Sequence, residues 1–223
     1  MAYKILIINP NSDLDGTDAI AKSANNFAGS DFLVTTISMK SAPKFIATYK
    51  DQFLAAAELV DTVTQNQDKY DAFIIACHAD PNLDLLKECS NKPVIGIAEA
   101  SMKIASMLGH KFSIIAPGER GVPNKEMLIR KYGLQDQLAS IRPLTLEKGV
   151  TEQERLLAAG HRALNEDHAE VLVLGCAEFT GFDIEMERVL GVPVLDGVIC
   201  ALIIAIGLVK YGKTTSKARR YMS

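Results

Sequence analysis

One local pattern occurs twice in this chain, and it restricts the fold more than any other feature. The first copy reads Asp71-Ala-Phe-Ile-Ile-Ala-Cys77-His-Ala-Asp-Pro-Asn-Leu-Asp84, and the second Glu170-Val-Leu-Val-Leu-Gly-Cys176-Ala-Glu-Phe-Thr-Gly-Phe-Asp183. Each opens with a short apolar run that does not alternate, as in a parallel strand buried on both faces. In each, a cysteine stands where the run stops and an aspartate follows seven residues later. Parallel α/β sheets place their chemistry in loops at the carboxyl ends of strands. Two matching thiols at two such ends point to one site approached from two sides.

The repeat extends beyond the cysteines. Tyr3-Lys-Ile-Leu-Ile-Ile-Asn-Pro10 matches Lys111-Phe-Ser-Ile-Ile-Ala-Pro117, and Lys92-Pro93-Val-Ile-Gly-Ile matches Val192-Pro193-Val-Leu-Asp-Gly. With the cysteine pair, these anchors keep their order at offsets of 107, 99 and 100 residues. The spacing predicts two α/β lobes of about one hundred residues each. The first takes 1–97 plus 198–223 and the second 98–197. Each is expected to hold a four-stranded parallel sheet flanked by helices, with the active site in the cleft between the lobes. Strands are predicted at 3–9, 32–38, 71–76, 93–97, 111–116, 139–145, 170–174 and 193–195. A helix is expected over 49–67, where Phe53, Leu54, Ala57 and Val60 recur at helical spacing, and a last helix over 197–211, returning to the first lobe. Strand–helix alternation implies right-handed crossovers.

Composition excludes several classes. Of 223 residues 48% are apolar, enough for a sizeable core, and the net charge of −3 carries no basic stripe for a nucleic acid. The only basic cluster, Lys213, Lys217, Arg219 and Arg220, reads as a solvated end. The run from Val198 to Val209 is too short to span a bilayer, and no signal segment opens the chain. Four cysteines in this setting suggest a reducing cytoplasm rather than a disulfide framework. Cys89 and Cys200 read as structural. No glycine-rich dinucleotide or phosphate loop occurs, and the histidines make no metal spacing with the cysteines, so neither cofactor nor metal is expected. The expected partner is a small-molecule substrate, with self-association left open.

A thiolate is both a nucleophile and a base, and one at a helix start ionises more readily. Cys77 and Cys176 both precede predicted helices. On facing lobes they would reach one carbon from opposite sides, one removing a proton and the other returning one, the geometry of stereochemical inversion. The alternative for each is a buried small hydrophobe. His78 and Ala79 follow the first thiol and Ala177 and Glu178 the second; these line the expected site. Adjacency alone does not make Cys77 and His78 a catalytic pair. Asn9, Pro10, Asn11 and Ser12 end the first strand, where their polar groups either meet a ligand or cap the next helix. Pro117 and Gly118, with Arg120 beyond them, occupy the matching loop of the second half.

Several motifs in the same order resemble the aspartate/glutamate/hydantoin racemase superfamily, most of all its hydantoin and allantoin racemase branch. They are Ile8-Asn-Pro-Asn-Ser12, the Cys77 loop through Asp84, Gly96-Ile-Ala-Glu-Ala-Ser101, Phe112-Ser-Ile-Ile115, Gly175-Cys-Ala177, Ser41-Ala-Pro-Lys-Phe-Ile46, and the tail from Leu195-Asp-Gly197 through Thr215-Ser-Lys217. The resemblance covers nearly the whole chain. It implies two flavodoxin-like lobes and a cofactor-independent isomerase with one catalytic cysteine from each. The chain departs from the branch at His78 and at Glu178-Phe179. There the Cys-x-Glu spacing is similar to that of aspartate racemases.

The loops at the expected site carry Asp13, Asp15, Asp80, Asp84, Glu119, Glu178 and Asp183, against Arg120 as the only strong cation. A dianionic amino acid would be held poorly among these charges. A neutral 5-substituted hydantoin fits better. Its C5 carbanion delocalises as an enolate, and each well-placed N–H donor stabilises the oxyanion by roughly 3–4 kcal/mol. The competing readings are an acidic amino-acid racemase, marked by Arg120 or a lysine in the site, a one-cysteine isomerase or decarboxylase, and a non-catalytic ligand-binding protein. Glu178 is expected either to accept from a ligand N–H or to cap the helix after Cys176.

Overall fold

The computed structural model describes residues 2–30, 32–145 and 148–222. In chain order the elements are β1 (Tyr3–Asn9), α1 (Leu14–Ala28), β2 (Phe32–Ser38), α2 (Tyr49–Asn66), β3 (Ala72–Ile75), α3 (Leu83–Cys89), β4 (Val94–Gly96), α4 (Ile97–Leu108), β5 (Phe112–Ala116), α5 (Val122–Tyr132), β6 (Leu138–Pro143), α6 (Glu152–Asp167), β7 (Val171–Leu174), α7 (Asp183–Leu190), β8 (Val194–Leu195) and α8 (Gly197–Tyr211). All eight predicted strands are present, and the last predicted helix is α8. The chain divides into two compact units, Met1–Ile97 with Val198–Ser223, and Ala98–Gly197.

The two units repeat one topology. The first sheet has the order β2-β1-β3-β4 and the second β6-β5-β7-β8, with every neighbouring pair parallel. The central strands are apolar along their length because helices cover both faces, and Ile5–Ile8 and Ala72–Ile75 are all buried. The pleat sorts side chains between the two layers. In β7, Leu172 and Leu174 pack with Leu156, Ala159 and Ala163 of α6, while Val171 and Val173 pack with Ala98 and Met102 of α4 and Leu128 and Ile129 of α5.

Helix starts follow local chemistry. Asp13 caps α1 by accepting from the Gly16 N–H, and Thr48 with Asp51, and Thr151 with Glu154, form reciprocal capping boxes on α2 and α6. Two sequence expectations need correction. The helix over 49–67 forms as α2, yet its buried face is Ala55, Leu59 and Val63, and Phe53 and Leu54 are exposed. A helix lying close on a sheet needs a small residue at the contact. Ala55 supplies it, and the bulkier Phe53 and Leu54 turn outward. The basic tail is also not wholly solvated, since the Lys217 ammonium bonds to the last carbonyls of α3.

The edge strand β6 is tied to the end of α6 by a polar network. Arg142 forks onto Asp167, with Nε and Nη2 each 2.6 Å from one of its carboxylate oxygens, and Nη2 also reaches Glu166 at 2.7 Å. Ser140 donates to Asp167 and lies 2.7 Å from Ser113 on β5. A carboxylate closing a helix opposes the helix dipole, and the guanidinium offsets this. The bonds from Arg142, and then Ser140, hold the Asp167 carboxyl below the usual range, while Arg142 is raised. A depressed carboxyl contributes stability above its unfolded pKa and loses it as pH falls through the folded one. Asp167→Asn is therefore expected to cost about 2 kcal/mol at pH 7, with the penalty shrinking in acid below the ordinary Asp range. Urea unfolding of both proteins across this pH span checks it, and a pH-independent difference would refute the assignment.

Candidate active site

In the first unit, β3 is short because the chain must turn off the sheet. The Ala76 N–H donates to the Ile8 carbonyl at 2.8 Å, carrying the β1–β3 pairing one residue past the strand. Cys77 comes next and is partly exposed. The turn beyond it is closed by the Asp80 N–H on the Cys77 carbonyl at 2.9 Å and the Leu83 N–H on the Asp80 carbonyl at 3.3 Å. Asp80 and Asn82 hold left-handed backbone, with φ of 44° and 57°. Such conformations cost non-glycine residues about 1 kcal/mol or more. Two contacts offset this. Asn82 donates to the Gln52 carbonyl at 2.7 Å, and the buried Asp80 carboxylate lies against Gly96, where a Cβ would fall on it. His78 is buried at 2% exposure and Ala79 is half-buried.

At the same sheet edge, β1 ends in Asn9. Its amide donates to Thr17 Oγ1 at 3.0 Å and to the Asp13 carbonyl at 3.4 Å, and Asn11 accepts from the Asp13 N–H at 3.0 Å. These bonds tie both side chains to the start of α1, as one of the two readings from sequence has it. Pro10 is buried and Ser12 half-buried, its N–H donating to the Pro43 carbonyl.

The second unit repeats the device with different residues. The Gly175 N–H donates to the Ile115 carbonyl at 2.8 Å, and Cys176 follows, extended and partly exposed. A Cβ on Gly175 would stand 2.5 Å from that same carbonyl oxygen, so the approach of β5 to this position requires glycine. A single 3-10 turn, Ala177–Phe179, then reverses the chain. The Cys176 thiol donates to Glu178 Oε2 at 3.9 Å, a contact absent from both sequence expectations for Glu178. Thr180 and the Gly181 N–H both donate to Oδ2 of the buried Asp196, at the end of β8. Burial first, then the charge of Asp196, raise the Asp183 carboxyl above its usual range.

Neither thiol stands in the first turn of an α-helix. α3 begins six residues after Cys77 and α7 seven after Cys176, and Cys176 directly precedes the 3-10 turn Ala177–Phe179. Glu178 likewise lies outside the first turn of α7.

In the matching loop, Pro117 is exposed, Gly118 half-buried, and Arg120 exposed in a 3-10 turn, Glu119–Gly121. The buried cation here is Lys125, 4% exposed in the first turn of α5. Its Cε lies 2.8 Å from where a Cβ on Gly175 would stand, and its Nζ 3.8 Å from that on Gly121. A lysine in a first helical turn carries no sequence mark of burial, and only the two glycines that make room for it hint at one. A cavity of about 630 Å³ runs along α7, lined by Asp183, Ile184, Glu187, Arg188 and Gly191–Pro193, and no candidate residue lines it. Among the described residues no three His, Cys, Asp or Glu side chains converge as a metal set.

Each unit thus presents one thiol just past the third strand of a 2-1-3-4 sheet. Residues 5–205 match the Asp/Glu/Hydantoin racemase family. A hydantoin racemase of Pseudomonas sp. (strain NS671) is 38% identical over 98% of this chain and 90% of its own length. One from Paenarthrobacter aurescens is 36% identical over 98% and 96%. Among solved structures, allantoin racemase from Klebsiella pneumoniae superposes with a TM-score of 0.94 at 30% identity, covering 99% of this chain and 93% of that one. The chain belongs to the Asp/Glu/hydantoin racemase family.

Proposed function

We propose that this chain racemises 5-substituted hydantoins, allantoin among the candidates, by proton transfer at C5 between substrate and two cysteines. The observation that carries the proposal is the equivalence of Cys77 and Cys176, each one residue past the hydrogen bond that extends the central strand pairing. One cysteine, as thiolate, takes the C5 proton and the electron pair passes into the adjacent carbonyl as an enolate. The other, as thiol, returns a proton to the opposite face. The cysteines finish with their protonation states exchanged, and proton exchange with water resets them. The ring carbonyl and nitrogen supply the delocalisation, so the scheme draws on no cofactor. Free thiols at all four cysteines suit the reducing cytoplasm in which we place this chemistry.

Glu178 acts in this scheme as the hydrogen-bond partner of the second thiol, receiving the S–H that Cys176 carries between proton transfers. A second reading, racemisation of an acidic amino acid, is favoured by Lys125, a buried cation at the base of the Cys176 loop that a substrate carboxylate would use.

Cys77→Ser and Cys176→Ser are each expected to lower racemisation roughly 10²–10⁴-fold, while each still exchanges the C5 proton of one enantiomer with deuterated solvent. Racemisation near the wild-type rate by either variant would end the two-base scheme. Glu178→Gln should lower kcat on every hydantoin alike, by up to about 100-fold, leaving the thermal midpoint and the ratio of kcat/KM between two hydantoins unchanged. A shifted ratio would make Glu178 a ligand contact instead. Lys125→Met separates the substrate classes: wild-type turnover of aspartate or glutamate that the change abolishes supports the second reading, and wild-type turnover of a hydantoin but of neither amino acid, surviving the change, supports the first.

A further inference from the structure

We infer that the C-terminal tail positions the first thiol, with Lys217 and Tyr221 acting as a strap across α3; this rests on Cys77 being a catalytic thiol.

α8 stops at Tyr211, where Gly212 takes left-handed backbone at φ 69°. The Gly212 N–H donates to the Val209 carbonyl and the Lys213 N–H to the Leu208 carbonyl, a helix stop that turns the chain back. The tail then runs along α3 in the opposite direction. Thr214 donates to the Asn91 carbonyl at 3.0 Å, just past the helix. The Lys217 ammonium donates to the carbonyls of Lys87 and Glu88 at 2.8 and 2.6 Å, inside its last turn. The Tyr221 hydroxyl donates to Asp84 at 2.8 Å, in its first turn. Lys217 and Tyr221 are half-buried, whereas Arg219 and Arg220 between them are exposed. The two bonding side chains therefore face the helix and the others face water.

α3 depends on such help. It has seven residues, and Asn82 at its start makes no side-chain cap bond. Helices this short do not persist by themselves, and their last carbonyls need donors. Lys217 supplies two charge-assisted bonds at the negative end of the helix dipole. Gln67, the residue that closes α2, holds the neighbouring stretch through the Cys89 carbonyl and the Asn91 N–H. Loss of Lys217 therefore loosens α3 without releasing it. At the other end the path to the thiol is short. Asp84 adjoins Leu83, whose N–H bonds to Asp80, whose N–H bonds to Cys77. The left-handed residues of that turn are held by the Gln52 and Gly96 contacts and, through Leu83, by α3. Lys217 and Tyr221 are positioning residues, acting on Cys77 through α3.

The test uses full-length Tyr221→Phe, Lys217→Met, the double variant, and Lys217→Arg as the conservative control. Three readouts are compared with wild type: backbone hydrogen exchange over 77–89, iodoacetamide alkylation of Cys77 and Cys176 by peptide mass mapping, and racemisation of a 5-substituted hydantoin. The double variant should raise exchange over 77–89 about tenfold, the scale of losing one or two hydrogen bonds to charged groups. Its Cys77 alkylation rate should change while that of Cys176 holds, and kcat should fall with KM little altered. Lys217→Arg should restore most of each effect. Unchanged exchange over 77–89, or Cys77 and Cys176 altered alike, overturns the strap. If the double variant does not fold, Tyr221→Phe, which deletes one hydroxyl, decides by the same readouts. Wild type inert on every hydantoin would overturn the proposed activity instead, while exchange and alkylation still decide the strap.

Discussion

The backbone hydrogen bond that carries the central strand pairing one residue past its end is the constraint on which the candidate site depends. In the first unit it is Ala76 N–H to the Ile8 carbonyl, and in the second Gly175 N–H to the Ile115 carbonyl. Because this bond is made, the next residue leaves the sheet at its carboxyl edge. In both units that residue is cysteine. The donors are small, an alanine and a glycine. The second is so close to its neighbour that a Cβ would meet the Ile115 oxygen. The thiols are therefore placed by main-chain geometry at the rigid end of a buried sheet.

Beyond each cysteine, a buried carboxylate lies between the loop and the end of the fourth strand, but the two units supply it from opposite sides. In the first, the acid is on the loop, Asp80, and the strand offers Gly96. In the second, the acid is on the strand end, Asp196, and the loop offers Thr180 and Gly181. The buried Asp196 carboxylate would lose several kcal/mol with its donors, so it fixes the second loop tightly. The same task solved with the acid exchanged between partners shows how far two copies of a repeat can diverge while the fold stays constant. The electrostatic surroundings diverge too. The second thiol has Glu178 as a hydrogen-bond partner and Lys125 buried at the base of its loop, and the first is followed by a buried histidine.

Much of this was legible in the sequence because the deciding signals are local. Uninterrupted apolar runs mark β3 and β7, the strands covered on both faces that carry the cysteines, whereas the edge strands β2 and β6 interleave polar residues. The cysteine sites were legible for the same reason, as a residue type falling twice where such a run stops. The face of α2 was not legible. Phe53 and Leu54 fit a helical period as well as Leu59 and Val63 do, and only the sheet beneath α2 chose Ala55 as the point of contact. The bonds of Asn9 and Asn11 to Thr17 and Asp13 were not legible either, since an amide after a strand serves a ligand or a helix start equally well.

By itself, then, the sequence determined the duplicated α/β plan, the strand ends and the two thiols, because hydrophobic period and chain punctuation act over a few residues. Tertiary structure alone decided what surrounds those thiols. Lys125 is buried against Gly175, fifty residues from it in sequence. Asp196 reaches back to Thr180 across a helix and a strand, and Lys217 and Tyr221 meet α3 from about 130 residues away. Polar contacts of this kind leave no period in the sequence. A charged side chain looks the same on paper whether it ends in water or on a buried carbonyl, and only the packed chain supplies the partner that makes burial affordable.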